Sequence, residues 1–207
     1  MNAELDHRVK NVLATVCAII FQTPRANVSI ADFVASVDHR IKSLASTHDL
    51  LSQSRWHGVS LSDIIRREFA PYTTSNTEIS GPSVTLKPEA AQAMAMVLHE
   101  LATNAAKYGA LSNHSGRVFV RWYWLRNGFQ HQQLAIEWQE TDGPPVPVSR
   151  ASGYGTSIIR ELLPHELGGT VDLTFASGGV RCRLEVPVNW VSSTSGDDEV
   201  RRFASLD

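Results

Sequence analysis

Cysteine is scarce: Cys17 and Cys182 are the two in 207 residues, and both sit inside apolar segments far apart in sequence. A disulfide framework is not expected, and a reducing cytoplasm fits. No run of about 18 apolar residues occurs, so no membrane span is expected. The N-terminus lacks the basic, apolar and small-residue regions of a signal peptide. An excess of one charge sign is also missing. The formal net charge of −2 offers no global basic field for nucleic acid. There are no internal repeats. What is present is a chain able to fold: 43% of residues are hydrophobic and 19% charged, unlike a disordered segment. Its length suits one large domain or two small ones.

The first segment has the spacing of a long helix. Leu5, Val9, Val12, Val16 and Ile19 follow a 4-3-4-3 seam, and Pro24 and Asn27 break it. A second helix is expected to start near Ser29, with Asp32 completing an imperfect capping box. Its stripe is Ile30, Val34, Val37, Ile41, Leu44 and Leu51, with His48 at the missing step. Two such helices joined by a short loop make an antiparallel hairpin. They cannot bury both seams alone, so a homodimer closing a four-helix bundle is the natural solution. Because a patterned helix begins almost at the first residue, we expect this chain to be the C-terminal part of a longer protein.

RWHGVSLSDII marks an expected change of domain at about residue 57. Ser60 and Asp63 are placed to cap a helix from Leu61 to about Phe69. TEISG and SVTL are short strands flanking Gly81-Pro82, and Pro88 starts an Ala-rich helix running to about Tyr108. GRVFVRWYWL and QLAIEWQE alternate as strands of a hairpin. A Gly- and Pro-rich loop, 141–154, leads into the helix GTSIIRELLPHEL, and GTVDLTF with VRCRLEVPV form a second hairpin. The expected fold class is α+β, with mostly antiparallel strands and helices on one face. The expected organisation is a helical hairpin at 1–57, a mixed domain at 58–190 and a loose polar tail at 191–207.

Four stretches carry chemistry. In ELDHRVKN, His7 falls near the solvent side of its helix. Neutral imidazole has a reference pKa of about 6.5 and serves as a nucleophile. Asp6 or Glu4 can take its proton or fix its tautomer, Arg8 and Lys10 can balance phosphate charge, and Asn11 lies one turn on. In VLHELATNAAKYGAL, Glu100, Asn104 and Lys107 share a helical face with His99 beside it. A carboxylate, an amide oxygen and an ammonium in a row suit a Mg²⁺–triphosphate. In WQETDGPP, a strand ends in acidic residues, and either Glu140 or Asp142 can accept the amino group of adenine. In GYGTSII, Gly153 and Gly155 let the backbone approach phosphate, and Thr156 and Ser157 open a helix whose free N–H groups favour anions.

Other residues carry blander readings. His48 is a core or boundary histidine; with His39 and His57 it lacks metal-ligand spacing. Trp122, Trp124 and Trp138 are core or rim packing before they are stacking partners. Arg66, Arg67, Arg117 and Arg121 are solvated charges, and Cys17 is inert packing.

Together these stretches resemble the kinase core of bacterial sensor histidine kinases of the HWE family. HRVKN resembles the phosphoacceptor motif and LHELATNAAKYGALS the N-box. His99 stands for the family's named histidine, Trp138 and Glu140 for its Trp-x-Glu, and GYGTSII for its second glycine motif. The likeness runs from residue 4 to about 188. It implies a dimerisation and phosphotransfer hairpin followed by a Bergerat-type α/β sandwich that binds ATP. By that resemblance His7 accepts the γ-phosphoryl group, with Asp6 as general base and Glu100 a further catalytic candidate. Asn104 binds Mg²⁺ and Lys107 contacts phosphate; Tyr108 and Gly143 lie within the matched motifs. Glu140 approaches adenine, while Asp142, standing where the family usually has glycine, is the alternative. The short 143–153 segment implies an abbreviated ATP lid. The implied partner is a response regulator receiver domain, and the sensor segment is absent from this sequence. The competing readings are a dimeric module that docks a receiver domain with weak or no kinase activity, and a serine kinase or ATPase of the same nucleotide fold.

Overall fold

The computed structural model describes residues 30–72, 74–127, 130–145, 154–176 and 178–192. The first expected helix, with His7, Asp6, Arg8, Lys10, Asn11 and Cys17, lies outside the described residues, as do Gly153 and 193–207.

Helix α1 is Ile30–Gln53. Its apolar stripe divides along its length. Leu44 and Leu51 are buried, while Ile30, Val34 and Ile41 are exposed. The chain leaves the helix through Arg55, Trp56 and Gly58, at φ of 51°, 63° and 117°. Gly58 is required there, because a Cβ would lie 2.4 Å from the Leu86 carbonyl oxygen. His48 packs edge-on against Trp56, ring centroids 5.1 Å apart, as a boundary histidine does.

Helix α2, Leu61–Phe69, buries Leu61, Ile64, Ile65 and Phe69, the spacing of one helical face. The expected cap differs. Ser60 occupies the N-cap position without a side-chain cap bond, and its hydroxyl pairs with Ser62 Oγ at 2.9 Å instead. Arg67 ties α2 back to α1 through Ser46 and Asp49.

Helix α3, Pro88–Tyr108, begins with proline inside its first turn, where the missing N–H costs no bond. It is buried along most of its length and is the central rod of the core. Helix α4, Tyr154–Leu167, carries Pro164 in its last turns.

Strands β2 (Thr77–Ser80), β4 (Arg117–Asn127), β5 (Gln130–Thr141), β6 (Thr170–Ala176) and β7 (Gly179–Pro187) form one sheet in the order β2-β4-β5-β7-β6. The β2–β4 pair is parallel and the others are antiparallel. A small second sheet joins β1 (Val59–Ser60), β3 (Thr85–Leu86) and β8 (Val191–Ser192). Val191 and Ser192, expected in the loose tail, are therefore paired to β3.

Strand alternation decides which sheet face the helices cover. Val118, Val120, Trp122, Leu134, Ile136, Trp138, Cys182, Leu184 and Val186 point into one core with the helices. Arg117, Arg121, Tyr123, Gln139 and Arg181 face outward. The result is an α/β sandwich of two layers, with α1 laid against α3 and α4 through Leu44, Met96 and Ile158.

Candidate functional site

Helix α3 supplies most of the polar residues, and the helical period sends them two ways. Glu100 and Asn104 face the start of α4. A Cβ built on Gly155 would lie 2.5 Å from Glu100 Oε2 and 3.0 Å from Asn104 Nδ2. With glycine at 155 the α4 backbone sits against these two side chains with no Cβ between. Thr156 is buried and Ser157 exposed in the same first turn. At the C-terminal end of α3, Lys107 and Tyr108 are exposed.

His99 turns away from this row. Its Nδ1 donates to Glu68 Oε2 at 2.8 Å, and Ser43 Oγ donates to Glu68 Oε1 at 2.9 Å. Sequence spacing placed His99 beside Glu100, Asn104 and Lys107; the fold instead makes it the link between α3, α2 and α1. Glu100 is tied to α1 as well. Arg40 Nε donates to its Oε1 at 2.6 Å, and Arg40 is 1% exposed.

The third motif is turned inward. Trp138 and Glu140 are two apart on β5, so both point to the covered face. Trp138 is 2% exposed and lies flat against Phe69, ring centroids 5.3 Å apart and planes within 6°. Its Nε1–H donates to Glu140 Oε1 at 3.1 Å. The Ala110 N–H donates to Glu140 Oε2 at 2.8 Å. Burial pushes the Glu140 carboxyl above its ordinary range, and the Ala110 and Trp138 hydrogen bonds pull against that shift.

Asp142 is exposed at φ 55°, in the left-handed region. Its carbonyl oxygen accepts from Asn113 Nδ2 and Ser115 Oγ, each at 3.3 Å. Next to it, a Cβ on Gly143 would lie 2.9 Å from the Ala110 nitrogen.

Sequence reasoning missed Arg40, Ser43, Glu68, Phe69 and the Ala110 amide. Two signals were legible. Arg40, Ser43 and Thr47 form a buried polar stripe at i, i+3, i+7 beside the apolar one. Glu68 is a charge on the apolar face of α2. Among the described residues no group of three or more His, Cys, Asp or Glu side chains is placed to hold a metal. An oxygen pair such as Glu100 and Asn104 suits a hard cation that shares its remaining ligands with phosphate.

This layered fold is shared with solved histidine kinases. A blue-light activated histidine kinase of Erythrobacter litoralis superposes with a TM-score of 0.65 at 20% identity, over 89% of this chain and 58% of that one. Its isolated kinase domain gives 0.60 at 16% identity, over 88% of this chain and 95% of that one. Residues 4–83 match the family model described as HWE histidine kinase. A blue-light-activated histidine kinase of Rhizobium johnstonii is 33% identical over 184 residues, 89% of this chain and 52% of its own length. Blue-light-activated histidine kinase 1 of Erythrobacter litoralis is 33% identical over 195 residues, 90% of this chain and 52% of its own length. The chain belongs to the HWE histidine kinase family. It spans about half the length of these curated relatives.

Proposed function

We propose that this chain is the core of an ATP-dependent histidine kinase acting in two-component signalling. It phosphorylates His7 and passes the group to an aspartate of a response regulator receiver domain. The observation that carries this reading is the close seat of the Gly155 backbone on Glu100 and Asn104. It is a place where backbone N–H groups and an amide oxygen can meet the same triphosphate.

In this Bergerat-type site the purine lies toward the end of β5 and the phosphates toward the start of α4. Gly153, Gly155, Thr156 and Ser157 cradle phosphate oxygens, and Lys107 and Tyr108, both exposed, flank them from the end of α3. Asn104 holds Mg²⁺, which supplies charge neutralisation on the phosphates. Glu100 Oε2 faces Gly155 beside it. Glu140 receives the adenine amino group. A carboxylate has about four acceptor positions, and the two donors described above leave two of them. Asp142 and Gly143 serve the turn, which explains why a left-handed residue is needed there.

In the chemical step, a ring nitrogen lone pair of His7 attacks the γ-phosphorus in line. The bond from that phosphorus to the β,γ-bridging oxygen breaks, and ADP leaves. Asp6 takes the imidazole proton, while Arg8, Lys10 and Asn11 steady the transferred group. Positioning and charge neutralisation supply most of the rate.

Ile30, Val34 and Ile41, apolar and exposed on α1, support a homodimer through the hairpin. No helix among the described residues is long and apolar enough to cross a membrane, and we place the kinase core in the cytoplasm.

The test is labelling with γ-³²P ATP and Mg²⁺. Acid-labile, base-stable label is expected, absent from His7→Ala and strongly reduced in Asn104→Ala. Label that persists in His7→Ala overturns the proposal.

A further inference from the structure

Trp138 does more than fill the core. Backbone closes in on Glu140 at Gly109, Ala110 and Gly179. A Cβ on Gly109 would lie 2.1 Å from Glu140 Oε2, and one on Gly179 would lie 2.3 Å from the Glu140 carbonyl oxygen. The Ala110 amide that holds Oε2 belongs to the turn closing α3. Oε1, in contrast, is held by a side chain, the Trp138 indole, itself set by its flat packing on Phe69 of α2.

We infer that Trp138 is a positioning residue that sets nucleobase selectivity, its indole N–H fixing the Glu140 carboxylate as an acceptor for a 6-amino purine. This rests on the assignment of Glu140 to the adenine amino group. The chemistry follows from what a carboxylate can do. Ionised, it accepts hydrogen bonds and donates none. Facing a 6-amino group it gains a partner; facing a 6-oxo group it meets a second acceptor. Without the indole donor, Oε1 loses the bond that fixes the carboxylate plane. Burial then acts against the charged form with one opposing bond fewer. A carboxylate no longer held in one plane loses its alignment with the 6-amino donor, and the preference for 6-amino over 6-oxo purine falls with it.

The experiment measures equilibrium binding of ATP and inosine triphosphate to the whole chain and to Trp138→Phe, Phe69→Leu and Glu140→Gln, with thermal unfolding as the check on folding. Trp138→Phe keeps an aromatic ring against Phe69 and removes the N–H. Its ATP affinity is expected to fall roughly tenfold, with inosine triphosphate affinity unchanged, so the ratio of the two collapses. Phe69→Leu retains the N–H but loosens its seat, so it should lower the ratio less than Trp138→Phe does. If Trp138→Phe does not fold, benzothienylalanine at position 138, an indole-shaped side chain without an N–H, decides in its place. A wild-type ratio in the variant lacking the N–H, with a lowered ratio in Glu140→Gln, reduces Trp138 to packing and overturns the inference. A wild-type ratio in Glu140→Gln overturns the adenine assignment itself.

Discussion

Arg40 Nε lies 2.6 Å from Glu100 Oε1, so a buried ion pair fastens α1 to α3 across sixty positions of sequence. The pair sits beside the second junction, Ser43–Glu68–His99, and together they set how α1 lies on α3. Removing one partner leaves the other charge buried, at a cost of about 3 kcal/mol. Arg40→Ala and Glu100→Ala should each lose about that much in urea unfolding. The double variant should lose clearly less than the sum. Strict additivity would show that the pair adds nothing to docking.

Asp142 can be separated from Glu140 by its backbone. At φ 55° a β-branched residue is strained, so Asp142→Val should cost about 1–2 kcal/mol. Asp142→Gly should change stability by less than about 1 kcal/mol, since glycine takes the conformation freely but gains freedom when unfolded. Both should keep the ATP preference. Loss of that preference in Asp142→Gly would move the adenine contact to residue 142.

The pH dependence of stability carries the signature of Glu140. Its folded carboxyl lies above the ordinary value of 4.5 because it is buried. The native state therefore holds this proton more tightly than the unfolded chain. Stability falls as pH rises from that ordinary value through the folded one, and the loss is complete above it. Glutamine cannot ionise. The unfolding free energy of Glu140→Gln relative to the parent should shift in the variant's favour over that rise. A flat difference from about pH 4 to 8 would show that burial of this carboxyl has no net effect.

Cys182 is buried, and burial first, then the charge of Asp172, pushes its thiol up to about 12. The thiolate is the reactive form, so the folded chain should resist iodoacetamide at position 182. Peptide mapping by mass spectrometry distinguishes it from Cys17. Modification of Cys182 should follow global unfolding as denaturant is added; labelling of the native chain at the rate of a free thiol would contradict its burial.

Much of the fold was legible because its signals are local. Alternation marked β4, β5, β6 and β7, and it placed Trp122 and Trp138 in the core, where they lie. Proline at 88 marked the start of α3, and the Ala-rich run carried it to Tyr108. The capping expectation at Ser60 failed because a neighbouring hydroxyl, Ser62, took the bond. The brief strand β8 carried no pattern of its own, and its partner β3 lies more than a hundred positions away.

The site was legible as a list of residues and not as an arrangement. Helical spacing could put His99, Glu100 and Asn104 near one another, but it could not say which of them would turn to Glu68, to Arg40 or to Gly155. That depended on where α1, α2 and α4 come to rest against α3. The motifs along the chain named the chemistry, since residue type and local period are written into the covalent order. Partners were chosen only when the helices packed, because burial makes an unpaired charge costly and so forces each buried carboxylate toward whatever donor the docking brings within reach.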